Sequence, residues 1–111
     1  MQKLKKSYFT GEGNGQLLYE TIGSCFERVA KANPKGLAII VKHQGIRWRY
    51  QELYEQVDRL SVGLLALGIQ PGDRVGIWGP NSIEWVMTQL ATARIGAIMV
   101  CINPAYRLYE L

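Results

Sequence analysis

Four residue patterns in this sequence are of a kind that can carry chemistry. Gly11, Gly13 and Gly15 fall within Gly-Glu-Gly-Asn-Gly-Gln, a spacing that suits a phosphate-cradling loop. No apolar strand run precedes them and the third glycine of the dinucleotide fingerprint is misplaced, so a linker is the preferred reading. Trp78-Gly79-Pro80-Asn81-Ser82 separates an apolar run from a helical pattern, and a helix start behind a strand is a natural anion site. With Asn81 as the cap, Glu84 takes the third helical position, completes a capping box and puts a carboxylate where a phosphate would sit. A structural corner is therefore favoured there.

The third pattern is the set of metal-ligating and redox residue types. Cys25, Cys101 and the single histidine, His43, belong to no Cys-x-x-Cys pair and no Cys/His cluster. No metal residue is assigned, and His43, in Lys42-His43-Gln44-Gly45, reads as a turn residue. The fourth is the set Trp48, Trp78, Trp85, Met87 and Met99, which could line a pocket for an alkyl chain. Their positions follow the periodicity of buried faces, so core packing is expected.

Composition sets outer bounds on function. Nearly half of the 111 residues are hydrophobic and a fifth are charged, as in a globular domain with one packed core. The net charge of +4 is scattered, with Lys3, Lys5, Lys6, Arg47 and Arg49 prominent. No basic face interleaved with stacking aromatics results, so no nucleic-acid partner is expected. No apolar run approaches the roughly 18 residues of a membrane-spanning helix, and no secretory pattern opens the chain. The expectation is a cytoplasmic chain without a transmembrane segment, its thiols reduced.

The elements that position these residues follow from apolar spacing. Residues 1–20 read as a flexible leader. Thr21 can cap a helix to about Ala32, since Ile22, Cys25, Phe26, Val29 and Ala30 mark one stripe, and Asn33-Pro34 stops it. Leu37–Val41 and the alternating Ile46, Trp48 and Tyr50 predict a hairpin turning at His43 to Gly45. From Gln51 to Leu67 a second helix has Leu53, Val57, Leu60, Leu64 and Leu67 on its inner face, closed by Gly68 in the left-handed conformation.

Pro71-Gly72-Asp73 then turns into a strand at Arg74–Trp78. Asn81 or Ser82 caps a third helix to about Ile95, and Gly96 precedes an apolar strand at 97–102. That order is one βαβ unit with parallel strands, and the unbroken apolar run predicts a last strand covered on both faces. Residues 106–111 begin a helix without a closing signal. The chain thus reads as an incomplete α/β subdomain, 21–111, expected to self-associate through its uncovered apolar surface.

Three segments in this order, Trp48-Arg49-Tyr50-Gln51-Glu52-Leu53, residues 63–77 ending in Ile69-Gln70-Pro71-Gly72-Asp73-Arg74-Val75-Gly76-Ile77, and Gly79-Pro80-Asn81-Ser82, resemble the adenylate-forming (AMP-binding) enzymes. Trp85-Val86, Gln89-Leu90-Ala91-Thr92-Ala93, Gly96, Asn103-Pro104-Ala105-Tyr106 and Glu110-Leu111 are similar to the medium-chain fatty acyl-CoA synthetase branch. Relatives usually place Thr before the tyrosine at position 50; Arg49 stands here, and losing that cap is expected to cost about 1 kcal/mol.

The resemblance implies an α/β fold in which this chain is the first portion of the large N-terminal domain: a partial parallel sheet with a β-hairpin and flanking helices. It implies a parent enzyme that uses ATP and Mg²⁺ to convert a fatty acid to an acyl-adenylate and then transfers the acyl group to CoA. The family's Ser/Thr/Gly-rich phosphate loop and its catalytic lysine match nothing in residues 1–111, so no catalytic residue is assigned and the chain alone is expected to be inactive. In some relatives a basic residue just after Asn-Pro touches the 3′-phosphate of CoA; Ala105 holds that place here, and Arg107, two residues on, is the candidate. The competing reading is a self-sufficient small α/β binding module without enzymatic activity.

Overall fold

The computed structural model describes residues 6–13 and 15–111. The parts of the leader reading that fall on residues 1–5 and on Asn14 lie outside the described residues. Residues 6–13 and 15–20 contain no helix or strand, and Glu20 pairs with Arg28 on the first helix. No helix of the described residues is long and apolar enough to cross a membrane.

The first helix, α1, spans Ile22–Ala32 and starts at Thr21, whose hydroxyl oxygen accepts from the Ser24 N–H at 3.1 Å. Ile22, expected on the buried stripe, is exposed in the helix's first turn. Strands β1 (Leu37–Val41) and β2 (Ile46–Arg49) pair antiparallel, with Ile40 opposite Arg47 and Val41 opposite Ile46. A 3-10 turn at Lys42–Gln44 joins them and closes on Gly45 at φ +66°, a conformation glycine adopts without steric cost. The hairpin is as the alternation of Ile46, Trp48 and Tyr50 predicts, except that Tyr50 begins the next helix instead of ending the strand.

Helix α2 therefore runs Tyr50–Ala66, and Gly68 at φ +91° follows it. Leu67, expected on the inner face, is instead the exposed residue that caps the helix end, because the helix stops one residue short of it. The expected loss of a cap at Arg49 is half compensated. A guanidinium has no acceptor with which to cap a helix, but the Glu52 carboxylate accepts from the Arg49 N–H at 2.7 Å. The Arg49 guanidinium turns outward and donates to the Lys35 carbonyl.

Strand β3 (Arg74–Trp78), helix α3 (Ile83–Ile95) and strand β4 (Ile98–Ile102) form the βαβ unit, with β3 and β4 parallel and in register from Arg74–Ile98 to Trp78–Ile102. The fold is α/β: a parallel pair, an antiparallel hairpin and flanking helices, with no strand pairing between the two sheets. Gly23 brings α1 against the backbone of α3, where an added Cβ would stand 3.1 Å from the Arg94 Cα.

The core lies between α2, α3 and the hairpin. Leu53, Val57, Ile83 and Ala91 are buried, with Phe26, Ile39, Trp48, Met87 and Leu90 packed against them. Its polar members are satisfied locally: the Ser61 hydroxyl donates to the Val57 carbonyl at 2.8 Å and the Thr92 hydroxyl to the Thr88 carbonyl at 2.7 Å. Two expectations need correction. Strand β4 is not covered on both faces in this chain, since Ile98, Val100 and Cys101 are exposed. The segment 106–111 holds a single 3-10 turn, Leu108–Glu110, instead of the start of an α-helix, as befits a segment too short to nucleate one.

Candidate functional site

Parallel strands leave an opening at their carboxyl ends where open α/β sheets place ligands. Here β3 and β4 end at Trp78 and Ile102, and a groove of about 550 Å³ opens between the Gly79-Pro80-Asn81 corner with Trp85 on one side and Cys101 to Pro104 on the other. The Trp78 indole N–H donates to the Asn103 carbonyl at 3.1 Å and ties the two strand ends together. Trp78 is about half exposed, so it is not the core residue its place in the alternation predicts. Trp48 and Met87 do pack against the core, whereas Trp85 lines the groove.

The loop leaving β4 is internally bonded. The Asn103 side-chain oxygen accepts from the Ala105 N–H and its carbonyl from the Tyr106 N–H, both at 3.0 Å. Arg107 follows, exposed, with its N–H donating to the Glu110 carboxylate at 2.6 Å. Arg107 is not among the residues lining the groove.

At the opposite wall the start of α3 is fully engaged. Ser82, not Asn81, is the cap, and its hydroxyl oxygen accepts from the Trp85 N–H at 3.3 Å. Glu84 is therefore one position too early to complete a capping box. Its carboxylate instead accepts from the Gln44 side-chain amide at 2.8 Å, while the Gln44 oxygen accepts from the Ile83 N–H at 2.8 Å. The Gln44 amide holds the Glu84 carboxyl below its ordinary range, helped by its own N–H, the Ser82 hydroxyl and nearby His43 and opposed by burial.

A bound phosphate at this helix start would meet a carboxylate and N–H groups already in use, so the corner does not fit one. Among the described residues no group of three or more His, Cys, Asp or Glu converges to hold a metal. Sequence reasoning missed Gln44, because nothing in a turn glutamine marks a partner 39 positions away.

The geometry thus supplies a scaffold with a groove and no cluster able to activate a carboxylate. Residues 26–111 match the family model described as "AMP-binding enzyme". The chain is 45% identical over 105 residues to the mitochondrial medium-chain acyl-CoA ligase ACSF2 of Rattus norvegicus, covering 95% of this chain and 17% of that protein. It is 38% identical to the putative acyl-CoA synthetase YngI of Bacillus subtilis, covering 86% of this chain and 18% of that one. A solved N-terminal domain of FACL13 from Mycobacterium tuberculosis superposes with a TM-score of 0.78 at 31% identity, covering 81% of this chain and 23% of that domain. The chain spans less than a fifth of the length of these curated relatives. With a family match reaching from α1 to the last residue and a fold shared with that N-terminal domain, the chain belongs to the AMP-binding enzyme family, among relatives of the acyl-CoA synthetase type.

Proposed function

We propose that this chain is a structural portion of an enzyme that activates a medium- or long-chain fatty acid with ATP and transfers it to CoA. A carboxylate has no adequate leaving group, so the acid is first joined to AMP with loss of pyrophosphate, and the CoA thiolate then displaces AMP. The residues in hand build the first layers of the large domain and hold none of the groups for either step. The observation that carries this reading is the 45% identity to a medium-chain acyl-CoA ligase over 95% of the chain.

Fatty-acid-dependent pyrophosphate release, with ATP, Mg²⁺ and CoA present, tests it on two proteins. The 111-residue chain should give only the blank rate, and turnover above the blank overturns the structural role. A protein continued along the reading frame beyond Leu111 should turn over octanoate or palmitate. Its failure, or a stop codon directly after Leu111, favours instead the self-sufficient binding module, a reading that the fully buried Val57 and Ala91 support.

Within the same proposal, Arg107 reads the 3′-phosphate of CoA. It leaves β4 at the carboxyl end of the parallel pair, two residues beyond Ala105, and is exposed. A charge-assisted hydrogen bond is worth about 1.5–3 kcal/mol, or roughly ten- to a hundredfold in affinity. Arg107→Ala in the continued protein should weaken CoA by that factor and leave dephospho-CoA unchanged. Equal loss for both thiols, or none, removes Arg107 from the site.

A further inference from the structure

One wall of the groove is held from a distance. Gln44 is half-buried in the hairpin turn, and its carboxamide makes two bonds at the start of α3: the oxygen accepts from the Ile83 N–H and the nitrogen donates to the Glu84 carboxylate, each at 2.8 Å. A helix begins with N–H groups that have no partner within it. Ser82 accepts from one at Trp85, and Gln44 from another at Ile83. Because a carboxamide is planar, the two bonds together fix both its own orientation and that of the chain at Ser82-Ile83. The sheets share no strand pairing, and among the described residues Gln44 provides the only hydrogen bonds joining the hairpin to residues 70–111.

We infer that Gln44 is a positioning residue: its carboxamide clamps the start of α3 to the hairpin and so sets the Gly79–Asn81 wall of the groove at the carboxyl end of the parallel pair. The clamp needs a donor and an acceptor on one planar group. The charged or titratable groups beside it are Glu84 on α3 and Lys42 and His43 on the turn itself.

Hydrogen exchange and thermal melting of the 111-residue chain test the clamp. Gln44→Ala should speed exchange of the Ile83 amide about five- to tenfold, the loss of one hydrogen bond, and leave amides in the middle of α2 unchanged. Gln44→Glu keeps the acceptor, loses the donor and sets two carboxylates together. Its melting-temperature deficit should be largest near neutral pH and shrink toward pH 5, where the pair can share a proton. His43 stands beside the pair on the same turn, so the same series is run with His43→Gln as a control. The decisive variant is the swap Gln44→Glu with Glu84→Gln, which exchanges donor and acceptor. It should bring Ile83 exchange back to within about threefold of the parent and abolish the pH dependence. An unchanged Ile83 rate in Gln44→Ala overturns the inference, and so do strictly additive effects in the swap.

Discussion

The helical side of the molecule and its parallel pair differ in how completely this chain satisfies them. Between α2 and α3, Val57 and Ala91 have no exposed surface, and every buried side-chain polar group among the described residues has a partner. On β4, Ile98 is 46% and Val100 40% exposed, although their sequence is as apolar as the core. An amphipathic helix needs one neighbour and finds it nearby in the chain. A strand of a parallel sheet needs cover on two faces and partners on two edges. The closed half therefore reports what these residues do for themselves, and the open half what they offer to others.

The largest effect should come from breaking the closed half. Leu53→Ala removes a buried anchor of α2 and should destabilise the chain by about 2–5 kcal/mol in chemical denaturation. A loss below about 1 kcal/mol would mean that the core is not where the fold is held. Next comes the open half, where we expect association that rises with concentration through β4. Val100→Lys should shift light scattering toward monomer while changing unfolding by no more than about 0.5 kcal/mol. A parent chain that stays monomeric at high concentration ends that expectation.

A smaller effect belongs to the seam among the helices. Arg94 on α3 meets Asp58 at 3.1 Å and the Tyr54 hydroxyl at 3.0 Å, with its guanidinium 4.8 Å from the Tyr54 ring centre. These groups are partly solvated, so Arg94→Met should cost about 1 kcal/mol or less, and the loss should fade in high salt. An effect as large as that of Leu53→Ala would make the seam part of the core.

The smallest effect is acid sensitivity. Arg28 holds the Glu20 carboxyl below its ordinary 4.5, and Lys31 does the same for Glu27. A carboxyl lowered on folding adds stability that is present above its unfolded value and is lost as pH falls through the folded one. Melting followed from pH 6 to pH 3 should show a shallower acid limb in Glu20→Gln and Glu27→Gln than in the parent. An unchanged limb would show that these exposed pairs do not act in solution.

Much of the fold was legible because apolar spacing and local punctuation agree. The α1 stripe ends at Asn33-Pro34, and Gly45 and Gly96 take left-handed conformations where the turn and the helix end require them. What escaped depends on distant partners. Asn81 and Ser82 are equally good caps by residue type, and Gln44 bonds at the Ser82-begun helix from another part of the chain. Trp78 alternates like a core residue, yet among the described residues it is only half covered. Of the candidate site, the corner and the Asn103-Pro104 loop were legible as strand ends, but the groove between them needs the parallel register to exist. Arg107 was named through family resemblance, and its role rests on the CoA experiment.

The parallel register also has a cost in time. Val41 and Ile46 can meet almost as soon as both are made, whereas Arg74 must wait for Ile98. At about 5–20 residues per second on the ribosome, the roughly two dozen residues between them take about one to five seconds. For that interval β3 leaves the tunnel without β4, the strand it pairs with in the folded chain. The βαβ unit is therefore the stage of synthesis at which this polypeptide is most open to capture by a chaperone or by a second nascent copy of itself.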